Sequence, residues 1–240
     1  MNAIRSILFY IAALVLTPIY CLIGTLVLPL PPMVRYRIVS TYGWTGMMMW
    51  VIKHLCGIKY EVEGLENLKG LKPAIICAKH QSAWETMALQ SIFPPQVYIA
   101  KKELLYLPFF GWGLATISTI FIDRAAGVES RNKMLAVSKD RLEHGFWIVI
   151  FPEGTRTEPG AKVKYKKGAA DMARALEVPL VPVAHNAGDY WPKNSWKKRP
   201  GTIKVSIGAP IWPEGKDLAG MTNAAHAWIE GEVARIRQSS

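Results

Sequence analysis

The chain has little cysteine: Cys21, Cys56 and Cys77 are the only three in 240 residues, and no two form a Cys-x-x-Cys pair. An odd, scattered set excludes a disulfide framework and offers no zinc-ligand spacing. It fits a reducing compartment, with each thiol expected as a small buried hydrophobe. Acidic residues are also scarce, 18 against 29 Lys and Arg, which leaves a net charge of +11. That balance points to an anionic partner: nucleic acid, an anionic membrane, or a phosphorylated or CoA-like substrate. No nucleic-acid motif is recognisable and the basic residues are spread over many loops. There is no internal repeat, no low-complexity segment, and no Gly-x-Ser-x-Gly turn to present a nucleophilic serine.

Charge is missing altogether from two stretches, 6–34 and 38–52. As a helix, 7–30 would be about 36 Å long, against roughly 30 Å of bilayer hydrocarbon. It is too long for the apolar region of a signal peptide, and no Ala-x-Ala-type site follows it. Pro18 is expected to bend it, and Pro29, Pro31 and Pro32 to end it before Arg35 and Arg37. The second run is short for a span and carries Tyr42, Trp44 and Trp50, residues that favour the membrane–water interface. Arg5 before the first run and Arg35, Arg37 and Lys53 after it give no clear orientation. The expectation is a bent or re-entrant two-helix membrane anchor over 1–57. A single span and a buried soluble helical pair are the alternatives.

Beyond 57 the pattern becomes short β-rich runs alternating with helical stretches. Strands are expected at 59–63, 74–78, 97–100, 119–123, 147–151, 180–184 and 202–207. Helices are expected at 83–92, 111–117, 130–144, 168–176 and 221–237. This alternation predicts an α/β domain over 58–240, with a mixed, largely parallel sheet flanked by helices. The longest loop-like stretch is 154–167, and such loops often carry function.

Chemistry concentrates where apolar strands end, the place where open α/β sheets bind ligands. After Pro73-Ala74-Ile75-Ile76-Cys77 come Ala78-Lys79-His80-Gln81-Ser82-Ala83-Trp84-Glu85-Thr86. On one continuous helix His80 and Glu85 would point about 140° apart, at 3.6 residues per turn; a turn between them lets the two side chains meet. Ser82-x-x-Glu85 equally fits a capping box, with Glu85 reaching back to the cap residue's N–H. Both readings stand at this point. Ile120-Phe121-Ile122 is followed by Asp123 and Arg124, and Ile148-Val149-Ile150-Phe151-Pro152 by Glu153, Gly154, Thr155 and Arg156. Val97-Tyr98-Ile99-Ala100 is followed by Lys101, Lys102 and Glu103. A His–carboxylate base beside Lys101, Arg124 and Arg156 would suit a phosphorylated substrate, since the guanidinium fork binds phosphate oxygens bidentately.

His80-x-x-x-x-Glu85, Phe121-Ile122-Asp123-Arg124, Phe151-Pro152-Glu153-Gly154-Thr155-Arg156 and Val178-Pro179-Leu180-Val181-Pro182-Val183 resemble, in order, the four motifs of glycerolipid acyltransferases. The likeness is greatest to the bacterial 1-acylglycerol-3-phosphate (lysophosphatidic acid) acyltransferases and covers roughly 60–215; the N-terminal apolar pair looks like the family's membrane anchor. One position departs from the pattern, Glu85 where the family usually has Asp. The resemblance implies that His80 is the general base for the sn-2 hydroxyl of lysophosphatidic acid and that Glu85 holds the imidazole. It implies that Lys101, Arg124 and Arg156 bind the glycerol phosphate and that Glu153, Gly154 and Thr155 shape that pocket. Residues 178–183 would line the acyl or carrier region. The donor would be an acyl-CoA or acyl carrier protein thioester, with no cofactor and no metal. The product would be phosphatidic acid, and the enzyme would sit in the cell (inner) membrane with its catalytic domain facing the cytoplasm.

The residues are consistent with that chemistry. A thioester is already activated, so direct attack by an alcohol needs no covalent enzyme intermediate, and a near-neutral imidazole accepts a proton at neutral pH. Two other functions are to be separated from this one: a sibling acyltransferase acting on another lysolipid, and a membrane-anchored binder of anionic lipid or nucleic acid. Of the remaining histidines, His54, His144 and His226 are expected at surfaces or boundaries. His185 follows a strand and is a candidate for substrate contact. Met47-Met48-Met49 reads as a flexible apolar contact. The stretch 191–199, WPKNSWKKR, reads either as an anionic-membrane contact or as a solvated basic loop.

Overall fold

A computed structural model describes residues 2–123 and 127–238. In chain order the helices are α1 (Asn2–Leu26), α2 (Pro32–Tyr36), α3 (Thr45–Val51), α4 (Glu85–Ile92), α5 (Phe110–Thr116), α6 (Gly127–Glu143), α7 (Gly168–Ala175), α8 (Ala187–Tyr190) and α9 (Leu218–Gln238). The strands are β1 (Ile58–Glu63), β2 (Ile75–Ala78), β3 (Gln96–Lys101), β4 (Ile120–Ile122), β5 (Trp147–Ile150), β6 (Leu180–His185) and β7 (Gly201–Ile207). They follow the order β1-β7-β6-β2-β5-β3-β4 in a seven-stranded sheet. β1 with β7, β2 with β6, and β3 with β4 run parallel, while β6 and β7 are antiparallel. The expected mixed, largely parallel α/β fold is therefore the one found.

Among the described residues the chain divides into two compact units, 3–56 with 87–148 and 57–86 with 149–238. In the first, α1 is the one helix long and apolar enough to cross a membrane, with a mean hydropathy of 2.3 in its most apolar window. The helix continues without a break through Pro18. Ser6, Phe9, Cys21 and Gly24 form a buried stripe at helical spacing, while Leu14, Leu22 and Leu26 face outward. The stripe meets the second uncharged run, where Trp44 Nε1 donates to Thr17 Oγ1 at 3.0 Å. That run is π-helical over Arg37–Trp44 and α-helical in α3, with a kink at Gly43. A Cβ at Gly43 would lie 2.3 Å from the Ile38 carbonyl oxygen of its own run and 2.8 Å from the Tyr20 ring of α1, so the kink and the close approach require glycine there. The two expected helical runs thus form and pack together; among the described residues, membrane-spanning length belongs to α1 alone.

The second unit is built on β1, β7, β6 and β2. β2 and β6 are buried along their whole length, as continuous apolar runs between covered faces should be. α9 lies on β6 through Met221, Ala225, Ile229, Val233 and Ile236, spaced three to four residues apart on one face. Residues 178–183, expected to line an acyl region, fall largely within this packing: Leu180, Val181 and Val183 are core residues.

Candidate active site

β2 ends at Ala78, and the chain then turns for six residues before α4 begins at Glu85. That turn brings His80 and Glu85 together. Glu85 Oε1 lies 2.8 Å from His80 Nδ1 and accepts the backbone N–H groups of Gln81 at 2.9 Å and Ser82 at 2.8 Å. Ser82 Oγ in turn accepts the N–H of Trp84 at 3.1 Å. The His80–Glu85 contact and the backward reach of Glu85 to the Ser82 N–H are therefore both made, by the same carboxylate oxygen. The longer Glu side chain reaches from the first residue of α4 back across the turn, which is how it serves three donors.

A carboxylate only accepts, so Nδ1 carries the imidazole proton and Nε2 presents its lone pair. Glu85 is fully buried, whereas the His80 side chain keeps 15% exposure, so the pair is anchored at one end and open at the other. The ring is further fixed by Phe151, stacked on it at 3.9 Å between centroids and 13° between planes. Held in one tautomer and one plane, His80 can accept a proton at Nε2 and return it.

The backbone of His80 is held as firmly as its ring. Its N–H donates to Glu153 Oε1 at 3.2 Å, and its carbonyl accepts from the N–H and hydroxyl of Thr157 at 2.8 and 3.1 Å. Glu153, picked out by the sequence, is therefore one of the two residues that grip His80, and Arg156 directly precedes the other, Thr157. Arg156 and Thr155 are exposed, Glu153 is buried, and Gly154 adopts φ +71 in the turn between them. A Cβ at Gly154 would lie 2.7 Å from Lys166 Nζ. Lys101 is the exposed last residue of β3 in the other unit, and Arg124 lies outside the described residues.

Beneath the loop lies a charged network that no local motif marks. Lys79, next to His80, is 1% exposed. Its Nζ lies 2.6 Å from Glu230 Oε1 on α9 and 3.3 Å from Glu153 Oε1, and Tyr165 donates its hydroxyl to Glu230 at 2.7 Å. Burial pushes the Glu153 carboxyl above its ordinary range, with Lys79 opposing the shift. Burial, with Glu153 and Glu230 nearby, raises the Tyr165 phenol, which therefore stays a donor. The signal in the sequence was a lysine at the end of a wholly apolar strand; nothing marked Glu230, 151 residues away.

His185, a candidate for substrate contact, is instead a buried structural residue. Its Nε2 donates to the Lys79 carbonyl at 2.9 Å and its Nδ1 accepts the Ala187 N–H at 3.3 Å, so both nitrogens are occupied. Burial lowers its pKa and keeps it neutral. Of the other histidines, His54 and His144 are exposed and bond the backbone carbonyls of Trp50 and Asp140, four residues earlier, and His226 packs edge-on against Tyr165. The three cysteines are free and buried, as expected. In the 191–199 stretch Trp191 is buried beneath Lys198, whose Nζ lies 4.2 Å from the ring centre, while Trp196 is exposed. Among the described residues no group of three His, Cys, Asp or Glu is placed to hold a metal ion.

Known proteins resemble this chain in sequence and in fold. The 1-acyl-sn-glycerol-3-phosphate acyltransferase of Pseudomonas aeruginosa is 39% identical over 239 residues, 98% of this chain and 92% of that protein. The human 1-acyl-sn-glycerol-3-phosphate acyltransferase alpha is 31% identical over 184 residues, 76% of this chain and 65% of the human protein. The crystal structure of the 1-acyl-sn-glycerophosphate (LPA) acyltransferase PlsC from Thermotoga maritima superposes with a TM-score of 0.81, covering 98% of this chain and 96% of that one at 23% identity, and shares its fold. The model of the family described as Acyltransferase matches residues 59–186, which include the His80–Glu85 pair and the Phe151–Arg156 turn, and the chain belongs to that family.

Proposed function

We propose that the enzyme transfers a fatty acyl group from an acyl-CoA or acyl carrier protein thioester to the sn-2 hydroxyl of lysophosphatidic acid, giving phosphatidic acid. The observation that carries the reading is His80, whose Nδ1 is committed to Glu85 at 2.8 Å while Nε2 is left to take a proton. The names of the bacterial and human relatives support the acceptor.

In this mechanism the acceptor hydroxyl oxygen attacks the thioester carbonyl carbon as His80 Nε2 takes its proton. Glu85 stabilises the imidazolium that forms. The tetrahedral intermediate re-forms its carbonyl and expels the thiolate, which receives the proton from Nε2. Oxygen gains the acyl group, sulfur leaves as a thiol, and the imidazole returns to its starting form. A positioned base of this kind contributes about 10²–10⁴-fold in rate. Arg156, two residues from Gly154 in an exposed turn tethered to His80 through Thr157, is the phosphate ligand this account favours. For Lys101 and Arg124 the same role rests on the family resemblance. The apolar α1 supports association with a membrane. A cytoplasmic face of the inner membrane follows from where CoA and carrier-protein thioesters are made available.

The test is acyl transfer by membranes holding the full chain, with oleoyl-CoA and oleoyl carrier protein as donors and lysophosphatidic acid as acceptor. Phosphatidic acid formed by the wild type and reduced at least 100-fold in His80→Ala supports the reading. Transfer to a neutral lysolipid or an amino-acid lipid at rates matching or exceeding lysophosphatidic acid would replace the acceptor. Equal activity in both proteins would remove His80 as the base.

A further inference from the structure

Residues 104–122 carry no charge, and their first half is exposed rather than buried. Tyr106 is 69% exposed, Trp112 49%, Leu107 48%, and Phe109 and Phe110 just over 40% each. Five large apolar side chains open to solvent within seven residues exceed the scattered exposure normal for a soluble surface.

The segment is built to present them. A 3₁₀ turn over Lys102–Tyr106 leads into Pro108, and the Phe110 N–H closes back on the Pro108 carbonyl at 2.6 Å with Phe109 at φ 60 and ψ −51. That is the rare, strained form of γ-turn. The Gly111 N–H donates to the Leu107 carbonyl at 2.9 Å, and a Cβ at Gly111 would lie 2.1 Å from the Leu104 carbonyl oxygen, so the loop folds tightly on itself. Phe109 and Trp112 lock edge to face at 5.6 Å. Nothing in its own burial repays the strain at Phe109. Lys101, Lys102 and Glu103, all exposed, stand directly before it, with a net positive charge.

The loop is also continuous with the apolar helix. A Cβ at Gly24 of α1 would lie 2.9 Å from Thr116 Oγ1 on α5. Tyr20 and Cys21 of α1 line, together with Phe109 and Phe110, a cavity of about 60 Å³. The outward side of α1 close to this contact carries Ile19, Leu22 and Leu26, each more than 45% exposed. A surface apolar on this scale, joined to a helix of membrane-spanning hydropathy and rimmed by lysines, fits one partner: the interface of a bilayer, where Tyr and Trp lie at headgroup level and lysines meet lipid phosphates.

We propose that 104–112 is a second membrane contact of this protein, inserting Tyr106, Leu107, Phe109, Phe110 and Trp112 into the interfacial layer of an anionic bilayer beside α1. The claim concerns where the chain meets lipid and does not depend on which acceptor it acylates.

The test places Tyr106→Cys on the full chain, labels it with an environment-sensitive fluorophore, and reconstitutes the protein in vesicles of 70% phosphatidylcholine and 30% phosphatidylglycerol. Identically treated wild type gives the background from the three buried cysteines. The expected result is blue-shifted emission, quenched at least two-fold by lipids carrying a shallow spin label and insensitive to aqueous iodide. Lys139→Cys on α6 should give the opposite pattern. Emission at Tyr106→Cys that iodide quenches and lipid spin labels do not would overturn the proposal. Protection from both quenchers would also overturn it, since it would mean that protein, a second copy or another partner, covers the loop. A Leu107→Cys probe read in the same way guards against a local effect of the first substitution.

Discussion

In the unit of 3–56 and 87–148 the buried polar atoms are neutral: Ser40, Thr45 and Gln90 exchange hydrogen bonds, with Thr45 Oγ1 3.1 Å from Gln90 Oε1. In the unit of 57–86 and 149–238 charges are buried as well: Lys79 and Glu153 pair with each other, and Lys79 also pairs with the partly exposed Glu230, to which Tyr165 donates. The neutral cluster lies among helices beside an apolar cavity that its own Ser40, Thr45 and Gln90 help to line. The ionic one lies directly beneath His80. A buried ion pair is a poor way to gain stability, because its desolvation cost rivals its Coulomb gain. What it does here is fix one peptide, since Glu153 that compensates Lys79 also binds the His80 N–H, and His185 binds the Lys79 carbonyl. The two clusters do different work: hydroxyls and an amide join helices, and charges hold the His80 loop in one geometry.

Breaking the ionic cluster should have the largest effect on stability. Lys79→Met leaves Glu153 buried without its cation and should destabilise the protein by about 3–5 kcal/mol, read by thermal unfolding in detergent. Adding Glu153→Gln and Glu230→Gln to it should recover most of that loss. Recovery of stability without recovery of acyl transfer would sharpen the contrast, and an unchanged melting temperature in Lys79→Met would break it. The neutral counterpart should cost less. Gln90→Leu strands the hydroxyls of Ser40 and Thr45 and should cost about 1–3 kcal/mol, with the rate per folded molecule unchanged. A lower rate at full stability would show that the two clusters do not differ in role.

Acidification gives a smaller, graded effect. The His185 pKa lies below its ordinary 6.5 because burial disfavours the charged ring. The unfolded chain therefore takes up a proton below pH 6.5 that the folded chain refuses, and stability falls as pH drops through that value, by up to about 1.4 kcal/mol per pH unit. Denaturant unfolding of wild type and His185→Gln between pH 7.5 and 5.5 should show that slope in the first and its loss in the second. Parallel slopes would contradict the assignment. The smallest effect belongs to the surface. Arg235 bonds Glu63 and Glu232 while half exposed, and it holds the Glu232 carboxyl below its ordinary range. Arg235→Ala should cost less than about 1 kcal/mol, and nothing measurable in 1 M salt. A loss as large as that of Lys79→Met would mean that exposure does not separate the two networks.

How much of this was legible in the sequence depends on range. All seven expected strands form, because a run such as 147–151 between turn signals has few other solutions. The helix expected from 83 begins at Glu85, since Ser82 and the turn after it are occupied in bonding the Glu85 carboxylate and the Trp84 N–H. His80, Glu85, Glu153 and Arg156 were visible as polar residues at strand ends. The sequence left the pair and the capping box as rivals; only the coordinates show one oxygen serving both. Lys79 was missed because lysine reads as surface, and Glu230 and Tyr165 because partners brought together by α9 share no local pattern. His185 stayed open in the sequence because a histidine after a strand looks alike whether it faces a cleft or the core.

The most direct test of the central claim, that His80 and Glu85 act as one unit, is a double-mutant cycle on acyl transfer to lysophosphatidic acid. Purified wild type, His80→Ala, Glu85→Gln and the double variant would each be checked for folding and assayed for kcat. The account predicts a loss of at least 100-fold for His80→Ala, a loss of about 10–100-fold for Glu85→Gln, and a double variant no slower than His80→Ala alone, because a partner that acts through the imidazole has nothing left to act on. Losses that multiply in the double variant, or a His80→Ala enzyme that keeps wild-type turnover, would contradict it.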